Sequence, residues 1–275
     1  FVSDRKTGEV LKITSGETHP LITHLKRPVG LSFDANGRLL IVEEKSGSLL
    51  RLEPDSTLTV LAQGMKKPRW VSVAEDGSIY ITAKGLKLQG DKENDEDDEE
   101  EGEGEVIFCL AQGQLSGFVE GFKGLQGIVI REETLLAAAR GLKKEKNDKG
   151  GIFKIPIQSD GKAGSITRVI KTDIKKPFGL ALDTLGALYV TAEELEFSKK
   201  IKDAIGKVFA DGVLSRFASK LKNPRGLALD HSGNLYVADG EGDEHGRILR
   251  LRAPPSPTLA FPSFTNQDSL TLHGK

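Results

Sequence analysis

The apolar and polar positions of this chain follow one phrase that recurs along its length. A Pro-x-Gly step, or a close variant of it, opens a short run of alternating apolar residues, and a turn of the Asp-x-x-Gly type leads into a second β-rich run. The alternation has the period of two that sends successive side chains to opposite faces of a strand, and the turn glycine provides a positive φ. Each phrase therefore predicts a β-hairpin, and the copies are PVGLSFDANGRLLIV from Pro28, PRWVSVAEDGSIYIT from Pro68, LQGIVIREETLLAAA from Leu125, PFGLALDTLGALYVT from Pro177 and PRGLALDHSGNLYVA from Pro224.

Two further strand-like runs follow the hairpin in most copies. The second of them, such as TLTVLA from Thr57, is rich in β-branched and apolar residues. The first is introduced by a glycine and occurs at Gly8, Gly47, Gly104, Gly151, Gly206 and Gly246. A unit of four short strands that repeats at this spacing is typical of a propeller blade. The sequence thus predicts an all-β fold, a six-bladed β-propeller of four-stranded antiparallel blades closed into a ring.

The propeller is predicted to cover residues 1–252. Residues 1–4 align with residues 236–239, which form the second strand of a unit, so the first blade is predicted to lack its innermost strand. Because the chain opens inside a repeat and without an initiator methionine, its first residue is expected to be a processed end or the start of a fragment. Residues 193–205 interrupt the fifth unit and are the single predicted helix. Residues 253–275 are predicted to form a Pro-rich linker or tail.

The repeated phrase, together with the run GRILRL from Gly246, resembles the NHL repeat and the wider group of six-bladed propellers around gluconolactonase and senescence marker protein. The tail resembles the linker and first strand of a bacterial immunoglobulin-like surface domain. The first resemblance implies the fold but not the activity, because propellers of this group serve as lactonases, lyases, scaffolds and protein-binding modules. It also implies that an enzyme of this kind would hold a divalent cation with Glu, Asn, Asp or His near the inner ends of its strands.

The x position of the Pro-x-Gly step is one place where such metal ligands would converge. It is occupied by Val29, Arg69, Gln126, Phe178 and Arg225. None of these is Asp, Asn, Glu or His, and two are cations that would repel a metal ion. The sequence therefore disfavours a metal-dependent enzyme, and no cofactor is expected.

Arg69 and Arg225, with Trp70 and Gln126, form the predicted ligand-binding site at the channel mouth. Guanidinium groups bind carboxylates and phosphates through paired hydrogen bonds, and an indole ring such as that of Trp70 can stack on a ligand ring. In the alternative interpretation, both arginines pair with acids of neighbouring blades and Trp70 fills the core.

A second set of candidates lies where the second strand of a unit ends. Asp4, Glu43 and Asp239 carry carboxylates there. Three oxygen ligands from different blades could bind calcium, which is the metal that the sequence leaves open. The alternative is that these acids are solvated charges on the rim of the disc.

The charge pattern narrows the class of partner. The chain has 39 Lys and Arg residues against 40 Asp and Glu residues, so it lacks the basic excess of a general nucleic-acid binder. No apolar run has the length of a membrane-spanning helix, and a single cysteine, Cys109, excludes a disulfide within the chain. Residues 91–105 are acidic and residues 141–151 are basic, and both are predicted to be solvated loops or partner contacts on one face of the disc.

These observations predict a non-catalytic binding or scaffold propeller of a secreted or cell-surface bacterial protein within a larger surface assembly. Its expected partner is a protein, a glycan or a small anion on a disc face. The alternative is a metal-dependent hydrolase that resembles the gluconolactonases, with Asp4, Glu43 and Asp239 around the cation. The sequence leaves the enzyme question open and favours the first interpretation.

Overall fold

The protein is all-β in a computed structural model that describes residues 1–14, 16–87, 105–145, 150–170, 174–197, 199–209, 212–241 and 245–252. Its strands form antiparallel sheets that follow one another along the chain, and each inner strand contacts the inner strand of the next sheet. The predicted six-bladed β-propeller is thereby confirmed. Across the described part of the chain, no helix has the length and apolar character needed to cross a membrane.

The first three blades are arranged as the repeat predicts. The first blade contains β1 (Val2–Asp4), β2 (Glu9–Thr14) and β3 (Glu17–Ile22). The second contains β4 (Pro28–Phe33), β5 (Leu39–Glu43), β6 (Ser48–Leu52) and β7 (Leu58–Ala62), and the short β8 (Met65–Lys66) leads out of it. The third contains β9 (Val71–Val73), β10 (Ile79–Ala83), β11 (Gly85–Leu86), β12 (Glu105–Ala111) and β13 (Gln114–Lys123). The pair β8–β11 lies beside the main sheet of this blade.

The last three blades complete the disc. The fourth contains β14 (Ile128–Arg131), β15 (Thr134–Ala139), β16 (Gly141–Leu142), β17 (Gly151–Pro156) and β18 (Thr167–Arg168). The fifth contains β19 (Ile174–Leu182), β20 (Leu188–Glu196), β21 (Lys200–Val208) and β22 (Leu214–Ala218), and the sixth contains β23 (Pro224–Leu229), β24 (Leu235–Glu241) and β25 (His245–Leu251). β16 departs from its own blade and pairs with the outer strand β13 of the third.

Within the described residues, the sheet of the first blade has three strands. β1 corresponds to the second strand of the other blades, and it pairs with β2 and forms one edge of its sheet. The sixth blade has three described strands. The predicted tail at residues 253–275 lies outside the described residues, as does most of the acidic stretch at residues 91–105 and part of the basic stretch at residues 141–151.

Alternating side chains build the core between blades rather than within them. In β5, Leu40 and Val42 pack toward the third blade, whereas Leu39 and Ile41 pack toward the first. Each junction from the first blade to the sixth has its own hydrophobic cluster of this kind. Within the described ranges no such cluster joins the sixth blade to the first. Because successive side chains of a strand point to opposite faces, each central blade packs apolar side chains against both of its neighbours.

The helix predicted at residues 193–205 is wrong. Strands β20 and β21 extend through this segment as a long hairpin, in which Glu194 pairs with Lys202 and Leu195 with Ile201. Leu195 is fully buried in the junction with the fourth blade. Lys200 Nζ also lies 3.1 Å from Glu194 Oε1 across the hairpin. Burial and cross-strand pairing outweigh the weak helical preference of this charged segment.

Successive inner strands meet most closely at the glycine of the Pro-x-Gly step. A Cβ atom on Gly30, Gly127 or Gly179 would collide with the carbonyl oxygen of the x residue in the next blade. The Gly127 N–H also donates a 2.8 Å hydrogen bond to the Phe178 carbonyl. Gly226 of the sixth blade differs, because the nearest atom to its Cβ would be the Ala238 Cβ at 3.7 Å.

This contrast predicts different outcomes for the same substitution at two equivalent positions. Gly179→Ala is expected to lower the free energy of unfolding by about 1–3 kcal/mol, because the added methyl group meets the backbone of the next blade. Gly226→Ala is the matched control and is expected to change it by less than about 1 kcal/mol. Urea denaturation of both variants measures the difference. Equal losses would contradict the packing described for the inner strands.

Candidate anion-binding site

The residues at the x positions open the inner strands on one face of the disc and border its central channel. In the second, fifth and sixth blades the x residue and its glycine form a bulge, since the strand pairing jumps from proline to the residue after glycine. A bulge re-aims the side chains it contains. Arg69 belongs to the third blade and Arg225 to the sixth, so the two residues lie in opposite blades of the six-bladed ring.

Buried threonines hold the backbone of the channel mouth in place. Thr191 on β20 accepts a 2.8 Å hydrogen bond from the Gly179 N–H and donates one of 2.8 Å to the Arg225 carbonyl. The side chain thereby links the fifth blade to the sixth. Thr82 occupies the equivalent position on β10, where it accepts a 3.1 Å hydrogen bond from the Trp70 N–H.

Arg225 stacks on an aromatic ring, and none of the described acids forms an ion pair with it. Its guanidinium carbon lies 3.8 Å from the centroid of the Phe178 ring, a cation–π geometry that fixes where the charge sits. Desolvation by the surrounding protein lowers the pKa of Arg225, and the charge of Arg69 lowers it further, while Glu193 acts in the opposite direction. Arg225 is therefore a partly desolvated cation that a second cation, Arg69, destabilises further.

The alternative in which acids of neighbouring blades neutralise the arginines is not observed. Among the residues that the structure describes, no carboxylate oxygen lies within 4.0 Å of the Arg69 or Arg225 side chain. Trp70 is half-buried and packs against the cluster between the third and fourth blades, so its ring contributes to the core. Gln126 is half-buried at the start of the fourth blade.

Two further residues at the mouth were missed by sequence reasoning. Glu105 begins β12, and its carboxylate accepts a hydrogen bond from the Leu125 N–H. Burial raises the pKa of Glu105, although that hydrogen bond and the charges of Arg69, Lys84 and Arg140 oppose the rise. Glu105 was hidden at the end of an acidic run, where it looked like one more solvated charge.

Arg140 is the second residue that was missed. It follows the last residue of β15, and its side chain lies against the backbone of Gly124, where a Cβ atom would collide with it. The repeat alignment carried the signal, since Arg140 stands at the position of Glu44, Lys84 and Glu193, directly after the end of the second strand. The charges of Arg69 and Arg140 therefore both act on the half-buried Glu105 carboxylate, and the charge of Arg69 also acts on Arg225.

The acids proposed as calcium ligands have other roles in their own blades. Glu43 is 6% exposed and accepts hydrogen bonds from the Lys26 N–H at 2.7 Å and the Ser46 hydroxyl at 2.6 Å. Asp4 accepts hydrogen bonds from the N–H groups of Lys6 and Thr7. In each case the carboxylate caps a nearby loop, as an Asx-type turn does.

Asp239 is buried rather than solvated on the rim. It is 2% exposed and accepts 2.9 Å hydrogen bonds from the N–H groups of Lys222 and Asn223, with Arg247 Nη2 at 2.7 Å. Burial alone would raise the pKa of Asp239, but the Asn223 N–H, Arg247 and the Lys222 N–H together hold it below its usual range. In the described ranges, no three His, Cys, Asp or Glu side chains are grouped so that they could hold a metal ion.

Comparison with known proteins identifies similar folds. No protein-family model matches the chain, and no curated protein matches it in sequence. A gluconolactonase from Xanthomonas campestris is similar in structure, with a TM-score of 0.68 and 18% identity over 86% of this chain and 78% of its own. The calcium-binding protein regucalcin from Agrobacterium tumefaciens has a TM-score of 0.64 and 15% identity, over 90% of this chain and 84% of its own.

A third neighbour is an auxiliary nutrient binding protein from Bacteroides ovatus. Its TM-score is 0.58 at 13% identity, over 85% of this chain and 61% of its own. These neighbours support the predicted resemblance to the gluconolactonase and regucalcin group at the level of the fold. The assignment of the repeats to the NHL type stays a prediction.

The two hydrogen bonds of Thr191 predict that the stability of the protein depends on this one hydroxyl group. Thr191→Val keeps the shape of the side chain but leaves the Gly179 N–H and the Arg225 carbonyl without this partner, so the free energy of unfolding is expected to fall by about 1–3 kcal/mol. Thr82→Val removes one hydrogen bond and is expected to cost about half as much. Denaturation curves of both variants provide the measurement. A neutral Thr191→Val would contradict the link between the two blades.

Proposed function

We propose that this chain is a non-catalytic binding propeller that holds an anionic ligand at the mouth of its channel. The observation that carries the proposal is the group of channel arginines, Arg69 and Arg225 above all, without carboxylate partners in the described structure. We extend the proposal to the setting expected from the sequence, a secreted or cell-surface bacterial protein whose ligand is part of a protein or glycan, or a small free anion.

Arg69 and Arg225 carry positive charges that no carboxylate of the described residues pairs with. A charge that is partly removed from water costs free energy unless a partner compensates it. Here the Arg69 charge adds to the desolvation of Arg225 instead of relieving it. A bound anion would offset both contributions, and the stacking of Arg225 on Phe178 would keep its donors in place for that anion.

The neighbours are compatible with binding as well as with catalysis. The Bacteroides ovatus protein is named for nutrient binding, so at least one protein of similar fold carries the name of a binding protein. In this chain the Thr191 hydroxyl donates a hydrogen bond to the Arg225 carbonyl, and the Arg225 guanidinium group stacks on the Phe178 ring. Such a preorganised set of donors favours binding of a ligand that matches it.

The second candidate is a metal-dependent hydrolase, and the similarity in structure to a gluconolactonase favours it. The acids available for the cation do not fit this function well. Both oxygens of Glu43 accept hydrogen bonds from its own blade, and Asp239 is engaged by two N–H groups and by Arg247. We therefore derive no catalytic step through a metal ion.

The two candidates differ in a direct measurement. A metal-dependent lactonase is expected to retain about one divalent ion per chain after loading with calcium or zinc and dialysis into metal-free buffer. The binding propeller that we propose is expected to retain less than about one-tenth of an ion per chain by elemental analysis. Hydrolysis of glucono-δ-lactone with and without added metal ions completes the test. Metal-dependent turnover that survives Arg69→Gln would favour the hydrolase and contradict the proposal.

The anion site itself is tested with sulfate, whose charge does not change near neutral pH. Titration calorimetry at low ionic strength is expected to give one site per chain, and Arg69→Gln or Arg225→Gln is expected to weaken binding about tenfold, as for the loss of one charge-assisted contact. Arg131→Gln is the matched control, because Arg131 ends β14 on the opposite face and pairs with Glu132 at 3.6 Å. Equal effects of all three substitutions would contradict the site.

The buried carboxylate predicts how binding depends on pH. As the pH falls through the raised pKa of Glu105, that side chain takes up a proton and no longer offsets the charges of Arg69, Lys84 and Arg140. Sulfate affinity is therefore expected to rise about threefold as the pH is lowered from 7 through this pKa, a change of the size that one nearby charge produces in a solvated site. Glu105→Gln is expected to bind more tightly at pH 7 and to show a flat profile. A flat profile in the parent chain would contradict this role.

A further inference from the structure

We infer that the first blade binds an extended polypeptide segment of the inner-strand type, which pairs with β1 between the first and sixth blades. This partner segment carries Pro-x-Gly followed by apolar residues at the next position and two positions later. The inference goes beyond the proposed function, because it concerns an edge of a sheet and not the anion at the mouth. A strand edge offers backbone N–H and carbonyl groups to such a partner.

The edge belongs to β1, which corresponds to the second strand of the other blades. β1 pairs with β2 on one side, where Ser3 lies opposite Val10, and no described strand pairs with its other side. In the other five blades the equivalent strand pairs with an inner strand, namely β4, β9, β14, β19 or β23. The first blade therefore presents a backbone edge at the position where the other blades have an inner strand.

Ser3 forms one of the two hydrogen bonds that join inner strands in the fifth blade. Its hydroxyl donates a 2.7 Å hydrogen bond to the Val29 carbonyl of the second blade. Thr191, at the equivalent position of β20, donates likewise to the Arg225 carbonyl and also accepts the Gly179 N–H of its own inner strand. No described N–H group donates to the Ser3 hydroxyl, so we expect it to accept one from the partner segment.

The position of Ser3 also indicates which residue of the partner segment donates this bond. In the fifth blade the donor is Gly179, and a Cβ atom there would collide with the Arg225 carbonyl that Thr191 contacts. Ser3 contacts the Val29 carbonyl in the same way, so a side chain at the corresponding position of the partner segment would meet that carbonyl. We therefore expect glycine at this position.

The third blade has Trp70 in place of this glycine and differs in the hydroxyl contact. The Thr82 hydroxyl accepts the Trp70 N–H at 3.1 Å, but among the described residues it donates to no carbonyl of the fourth blade. A side chain is thus accommodated where the hydroxyl does not bond to the next carbonyl. Ser3 does form that bond, so it resembles Thr191 and not Thr82.

The sixth blade has a surface that complements the partner segment. Gly226 stands where the glycines of other blades contact the x carbonyl of the next inner strand, but the nearest described atom to its Cβ position is the Ala238 Cβ at 3.7 Å. Val237 and Leu249 pack toward the fifth blade, so the alternate residues Ala238 and Ile248 face the first. Gly226 therefore has room for the x carbonyl of the partner segment, whose apolar residues would pack on Ala238 and Ile248.

Asp4 provides a second polar contact for the partner segment. In the second and sixth blades the equivalent carboxylate accepts the N–H of the residue two places before the proline. Lys26 donates in this way to Glu43 at 2.7 Å, and Lys222 donates to Asp239 at 2.9 Å. The two hydrogen bonds described for Asp4 both end on Oδ1, so Oδ2 is expected to accept the corresponding N–H of the partner segment.

The tail at residues 253–275 lies outside the described residues and does not contain the required pattern. Its single glycine is Gly274, which does not follow a Pro-x step. The five copies of the repeated phrase are already the inner strands of their own blades. We therefore expect the partner segment to be separate from residues 1–275.

The probe for this edge is a synthetic peptide with the sequence of residues 25–34, LKRPVGLSFD, which carries the pattern with an uncharged x residue. Titration calorimetry with the full chain is expected to show one peptide per chain. Saturating peptide is expected to raise the melting temperature, because it binds the folded state. A scrambled peptide, and one with valine in place of its glycine, are expected to bind at least about tenfold more weakly.

The variant Gly226→Ala distinguishes binding at this edge from the stability of the fold. It is expected to leave the melting temperature of the free chain almost unchanged but to weaken peptide binding at least about tenfold, because its methyl group takes the place of the x carbonyl. Ser3→Ala is expected to weaken binding about fivefold through the loss of one hydrogen bond. Gly117→Ala is the matched control, because Gly117 lies on β13 with no atom within 4 Å of its Cβ position.

Equal peptide binding by the parent chain and by Gly226→Ala would mean that the edge is wrongly assigned, and the inference would be overturned. The inference is also wrong if no peptide binds the parent chain, and two measurements then identify what covers β1. Binding that appears only in Leu270→Asp would assign the edge to the tail of the same chain. A dimer in sedimentation equilibrium would assign it to a second copy. Sulfate binding at the mouth is measured separately and does not depend on these outcomes.

Discussion

The contact between the backbones of successive inner strands is the constraint on which the rest of this structure depends. Gly30, Gly127 and Gly179 leave no room for a side chain against the next blade, so the inner strands converge on the axis as closely as peptide backbones can. Each sheet then lies face to face with its neighbours, and the apolar side chains of β5 and its counterparts fill both junctions. Beside Gly226 of the sixth blade, this close contact and a hydrophobic cluster with the first blade are absent from the described residues.

The same contact explains why charged residues stand at the channel mouth. The x residue precedes the glycine, and its carbonyl oxygen lies against the glycine of the preceding blade. Packing therefore determines the position of its backbone but not the type of its side chain. A hydrophobic residue at x, such as Val29, needs no further partner. An arginine at the same place brings a charge into a partly desolvated channel, and it is compatible with the fold because the cost is small beside the packing of five junctions. This separation of packing from side-chain chemistry is how one fold carries many functions.

The acidic residues show the opposite case, because side chains that resemble metal ligands stabilise loops of the fold instead. Glu43 and Asp239 looked like metal ligands because they recur at the ends of second strands. In the structure they accept hydrogen bonds from N–H groups of the loops that open their own blades. Glu105 does the same for the fourth blade from a different strand. Position in a repeat identifies such carboxylates, but only their partners distinguish capping from binding.

The sequence by itself determined the repeat and the all-β propeller fold, because strand alternation and turn glycines are local properties that recur in each unit. It also placed Arg69 and Arg225 at equivalent positions of their repeats. It failed at residues 193–205, where the long-range pairing of Glu194 with Lys202 and the burial of Leu195 prevail over local preference. The union of Arg140 and Glu105 with Arg69, and the stacking of Arg225 on Phe178, were decided by tertiary structure alone. The stacking joins the fifth and sixth blades, and Arg140 acts on Glu105 from the neighbouring blade. The distance between residues of different blades cannot be read from their spacing along the chain.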